Sequence, residues 1–204
     1  MDRLIAIAFR YSRYGVWFGG GLIILSAFIV AAEVLIRKFF NHTIGGADEL
    51  SGFALAIGSA WAFSFALLER AHVRIDSVYV WLPVRARAIL DLIGLTVFLL
   101  FMGLLAYQGT GVFTDSVELG SRTMSALETP LQYPQFFWVA GLYFFVVVAV
   151  LMLVRALGTA FRLDFSGVQR QIGSKTVSEE LNAEMRDIER RTAEQAKHDG
   201  GAAQ

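Results

Sequence analysis

The chain reads as an all-α integral membrane protein with four spanning helices, and three observations predict it. Hydrophobic residues fill 55% of its 204 positions, mean hydropathy is +0.53 and only 18% of residues are charged, too apolar for a soluble domain of this size. Four apolar segments, 15–36, 50–68, 89–107 and 136–154, each run about 20 residues, enough to cross about 30 Å of hydrocarbon at 1.5 Å per residue. Each segment must satisfy its own N–H and C=O groups where no water is present, which selects helices.

Residues 1–14 are expected to form a short helix lying in the membrane surface. Arg3, Arg10 and Arg13 share roughly one helical face, and Leu4, Ile5, Ala8 and Phe9 fill much of the rest. The first apolar run is longer than the h-region of a cleaved leader, about 15 residues at most, so it is expected to remain as a span. The four-helix membrane domain is placed at 15–157. Within it, Trp61 falls mid-span and is expected to pack against a neighbouring helix or lipid, with Gly58, Ser59 and Ala62 letting another backbone approach.

Arg and Lys near the span ends set the expected orientation. Arg3, Arg10, Arg13, Arg70, Arg74, Arg85, Arg87, Arg155 and Arg162 lie on one side, against Arg37, Lys38 and Arg122 on the other. The positive-inside rule then puts both termini and the second loop in the cytoplasm, with the first and third loops outside. In the second loop Asp76 is positioned to cap a short interfacial helix that buries Val80, Trp81 and Leu82. The third loop, 108–135, is mildly acidic through Asp115, Glu118 and Glu128 against Arg122. The tail, 158–204, is polar. Thr176 and Glu179 have capping-box spacing ahead of a thin stripe of Leu181, Met185 and Ile188, which suits a solvated helix or a docking device before a disordered end.

The same composition excludes several chemistries. A net charge of zero argues against a nucleic-acid binder, which needs a surplus of basic residues on one surface. With no cysteine, disulfides, thiolate metal sites and cysteine nucleophiles are ruled out. His42, His72 and His198 all fall in connectors or the tail, so no pair of them ligates a haem inside the bundle. No metal set, cofactor motif or catalytic constellation is present, and an enzyme is not expected.

Candidate site residues therefore stand at the span ends. Glu33 and Arg37, like Arg87 and Asp91, are four apart and meet on one helix face; each pair either neutralises charge within its own helix or contacts a partner subunit. Asp48 and Glu49 are placed at a helix N-terminus, where the dipole favours acids. A chain that carries a polar substrate alone usually shows broken helices, internal repeats and midplane binding groups. This sequence shows none, which favours an accessory subunit over an independent small carrier or channel.

The run Glu-Val-Leu-Ile-Arg-Lys-Phe-Phe-Asn at 33–41, then Gly-Ala-Asp-Glu-Leu-Ser-Gly at 46–52 and His-Val-Arg-Ile-Asp at 72–76 resembles the small membrane subunit of TRAP transporters, the DctQ type. The resemblance covers roughly 14–154. It implies a four-helix scaffold in a bacterial inner membrane, part of a tripartite, sodium-driven uptake system for organic acids. The partners it implies are a large DctM-type permease subunit that holds the substrate and sodium sites, a periplasmic substrate-binding protein, and membrane lipids. Arg37, Glu49, His72 and Asp76 match the family pattern as structural or interface residues, and Glu33 and Asp48 are grouped with them. Asp115, Glu118 and Arg122 are the expected docking residues for the binding protein.

Overall fold

A computed structural model describes residues 2–43, 45–71 and 82–173, together with 185, 188, 189, 191 and 192. Four long helices dominate it: α1 (Asp2–Phe40), α2 (Ala47–Leu68), α3 (Val84–Glu118) and α4 (Gln132–Phe161). A short fifth helix, α5 (Phe165–Ile172), follows at once. The four long helices are all apolar and long enough to cross a membrane, and each expected span lies within one of them. Among the described residues the extended structure is a single antiparallel bridge between Arg122 and Pro130.

The helix ends follow local chemistry. α1 stops at Asn41, which takes the left-handed conformation (φ 50°) that asparagine tolerates better than most residues. Its last turn carries Arg37 and Lys38, where cations complement the C-terminal dipole. α3 ends at Gly120 (φ 58°), with Ser121 N–H donating to Ser116 C=O at 3.0 Å, the bond that closes a Schellman turn. α5 is capped by Asp164, whose side chain accepts from Gly167 N–H at 2.9 Å.

Packing places the helices in the spatial order α1, α2, α4, α3, with α5 laid against α3 and α4. α4 is the central element. Its Leu142, Phe145, Val148, Ala149, Met152 and Ala156 are buried against Ala60 and Leu67 of α2 and Leu95, Met102 and Ala106 of α3. Phe145 is fully enclosed, with Phe98 edge-on at 5.2 Å between ring centroids, a favoured aromatic geometry.

α1 is attached differently. Its buried positions are Ala8, Ser12, Gly15, Gly19, Ser26 and Glu33, a single seam of mostly small residues spaced by three, four or seven. Nearly all of its remaining surface, including Trp17, Phe28 and Leu35, is exposed. At the crossing with α2 the backbones nearly touch. A Cβ on Gly19 would lie 2.7 Å from Gly58 Cα, so these two glycines set the depth of contact.

Three features differ from the sequence-based expectation. α3 runs on to Glu118, so residues 108–118, with Asp115 and Glu118, are helical and the third loop is shorter than 108–135. Residues 2–14 are helical but make no turn at Tyr14; they continue without a break into the span, so α1 is 39 residues long. No proline interrupts the run, and a lone Gly15 costs only about 1 kcal/mol in a helix. Residues 165–172, placed in a polar tail, form a packed helix. Val168 and Ile172 are buried, and the i, i+3, i+7 spacing of Phe165, Val168 and Ile172 is a short amphipathic signal within an otherwise polar stretch.

Candidate functional site

The polar residues gather at the two ends of the bundle, and each end is built by a different device. Between the ends, hydroxyls mostly bond to their own helix: Ser26 to Ile23 C=O, Ser59 to Leu55 C=O and Thr96 to Leu92 C=O, at 2.7–2.8 Å. Trp61 is the main exception. Its Nε1–H donates to Phe137 C=O of α4 at 3.0 Å, its ring stacks on Phe144 at 5.7 Å, and Gly15 and Gly141 leave room for it on either side. The mid-span tryptophan thus ties α2 to α4.

At one end, the connector between α3 and α4 forms a compact hook over residues 119–131. Thr123 N–H donates to Thr129 C=O at 3.0 Å, Thr129 N–H donates back to Thr123 Oγ1 at 2.9 Å, and Leu131 N–H bonds Ser121 C=O at 3.1 Å. Arg122 reaches across the hook to Glu128 C=O at 3.3 Å. The hook folds onto the N-terminus of α2, where Ser125 Oγ donates to Glu49 Oε2. Gly45 and Gly46 make this contact feasible. Both have left-handed backbones (φ 77° and 91°), and a Cβ on either would strike Ala126 or Leu127, so only glycine fits at low cost.

Glu49 is therefore the latch between the first and third loops, while its neighbour Asp48 is exposed. At the same end Arg37 donates to Glu33 Oε1 at 3.0 Å. The two partners differ sharply in environment: Arg37 keeps 59% of its side-chain surface accessible and Glu33 only 6%. The pair is an exposed guanidinium covering a buried carboxylate, one that water does not screen fully. Asp115 and Glu118 are exposed in the last turns of α3, and the hook tip presents a fully exposed Met124.

The other end is basic. Arg87 Nε donates to Leu82 C=O at 2.7 Å, Arg85 lies 5.9 Å from the Phe165 ring centre, and Asp91 is buried beneath α5 beside Gly173. Arg70 closes α2 in a left-handed conformation (φ 58°). His72, Asp76 and the expected interfacial helix of the second loop lie outside the described residues, as does most of the 174–204 tail.

Among the site residues expected from the sequence, the structure joins Glu33 to Arg37 and brings Arg37, Asp48, Glu49, Asp115, Glu118 and Arg122 to one end of the bundle. The Ser125, Thr123 and Thr129 hydroxyls around Glu49 were not singled out from the sequence. Their only local signal is the Gly-Gly pair ahead of α2, which marks a close backbone approach without naming what approaches. Among the described residues no group of three or more His, Cys, Asp or Glu is placed to hold a metal ion.

Fold and polar ends together define a multi-pass helical membrane protein whose charged groups belong to its rims. A family model described as the DctQ component of tripartite ATP-independent periplasmic transporters matches residues 26–159. The match spans about two thirds of the chain, and the chain belongs to that family, a component of a transport system. No curated protein and no solved structure matches it.

Proposed function

We propose that the chain is the small scaffold subunit of a sodium-coupled tripartite transporter that imports organic acids across a bacterial inner membrane. The observation that carries this reading is the outer face of α1. A 39-residue helix held by one seam leaves Phe18, Ile24, Phe28, Val34 and Leu35 exposed, a broad apolar surface for a larger membrane partner. That partner is the DctM-type permease, which would hold the substrate and sodium sites and move against this subunit. In the orientation given by the basic residues, both termini and the Arg70–Arg87 end face the cytoplasm, and the hook faces outward. Glu33, Arg37, Asp48, Glu49, His72 and Asp76 then serve as structural or interface residues. Asp115, Glu118 and Arg122 form part of the platform where the periplasmic binding protein docks.

The absence of native cysteine makes the test direct. Single cysteines at Phe28 and Leu35 on the outer face should crosslink to the co-expressed permease, and cysteines at Gly15 or Gly19 on the α2 seam should not. Sodium-driven uptake should require both membrane subunits and the binding protein. Solute flux through vesicles holding this chain alone would replace the reading with that of an independent carrier or channel. Charge reversal at Asp115 and Glu118 should reduce uptake when binding protein is limiting; unchanged uptake across its concentration range would remove the docking role.

A further inference from the structure

At the end opposite the hook, a cavity of about 420 Å³ opens between α1, α2, α4 and α5. Its walls divide by chemistry. Ile5, Phe9, Leu68 and Met152 make an apolar side, and Arg70, Arg155 and Gln171 make a polar one. Gln171 Nε2 donates to Thr159 Oγ1 at 3.0 Å, whereas its Oε1 is buried without a hydrogen-bond partner among the described residues. A buried acceptor left unmatched is costly, and its residue lines the cavity while the atom itself is closed off from it. The cavity also sits at the end of an apolar helix. Leu68 is the last residue of α2, and Arg70 stands just beyond it, so apolar wall gives way to guanidinium where hydrocarbon gives way to headgroups. Arg70 keeps a left-handed backbone at this point (φ 58°), a conformation glycine adopts more cheaply.

We propose that this cavity holds one membrane phospholipid. Its phosphate sits on Arg70 and Arg155, and the start of one acyl chain lies along Ile5, Phe9, Leu68 and Met152. Such a lipid would join α1, otherwise held by its seam, to α2, α4 and α5.

Native mass spectrometry of the full-length chain, titrated with phosphatidylglycerol, tests this. Three ligands are compared: phosphatidylglycerol, diacylglycerol with the same acyl chains, and inorganic phosphate. The wild-type chain should retain one phosphatidylglycerol and not diacylglycerol. R70Q/R155Q should weaken that binding about thirtyfold, while R70K/R155K, which keeps both charges, should stay within a few-fold of wild type. Ile5→Trp should weaken it from the apolar side with both arginines in place. Equal retention of diacylglycerol by the wild-type chain would overturn the proposal, and so would unchanged binding in R70Q/R155Q. One-to-one capture of inorganic phosphate that excludes the lipid would also overturn it, in favour of a soluble anion.

Discussion

Alanine substitution along the glycine run 19–21 should separate three adjacent and chemically identical positions. A Cβ added at Gly20 or Gly21 meets no atom within 4 Å, whereas one at Gly19 lies 2.7 Å from Gly58 Cα and 2.9 Å from Gly58 C=O oxygen. At Gly20 and Gly21 the change should stabilise the protein by about 0.5–1 kcal/mol, the usual helix gain over glycine. At Gly19 the obstacle is backbone, with no flexible side chain to yield. Restoring ordinary contact needs the α1 and α2 axes to separate by roughly 1 Å, and a gap of that size forfeits about a quarter to a half of each dispersion contact along the seam. Overpacking of this kind costs about 1–3 kcal/mol, so Gly19→Ala should fall below the other two variants by about that amount. Reversible unfolding in mixed micelles, followed by circular dichroism over a denaturing-surfactant titration, measures the differences. Equal stability of Gly19→Ala and Gly20→Ala would refute the close-crossing argument.

Three further outcomes follow from the polar contacts. Arg37→Ala uncovers the buried Glu33 carboxylate and should destabilise the protein by roughly 1.5–3 kcal/mol; adding Glu33→Gln should recover part of that loss in the same unfolding assay, and an additive double variant would remove the covering role. Ser125→Ala or Glu49→Gln should release the hook from α2, read as faster proteolysis within 119–131 with the helical signal unchanged, whereas unaltered cleavage would mean that the latch does not hold the hook. Ser64 is fully buried in α2 and its Oγ has no hydrogen-bond partner among the described residues. Ser64→Ala should therefore stabilise by about 1 kcal/mol, and a loss of stability would show that the hydroxyl is satisfied after all.

The sequence by itself determined the class of the protein, its number of spans and the location of its charges. Those properties are local: a run of about 20 apolar residues must be helical in hydrocarbon, and a four-residue spacing brings Glu33 and Arg37 together on any helix. The resemblance in the 33–52 region was legible in the same way, because it rests on residue types in order. Three consecutive glycines, by contrast, carry no local mark to say which one meets another helix. Only the crossing of α1 and α2 singles out Gly19 and gives it Gly58 as a neighbour. The contact between Glu49 and Ser125 was equally out of reach. Its two residues are 76 positions apart, and what joins them is the folding of a short hook onto glycines that leave it room. Residues 165–172 lie between these cases: their apolar spacing is readable, but eight residues are too few to form a helix without tertiary support. Their packing against α3 and α4 supplies that support, and it also closes the basic end around the cavity.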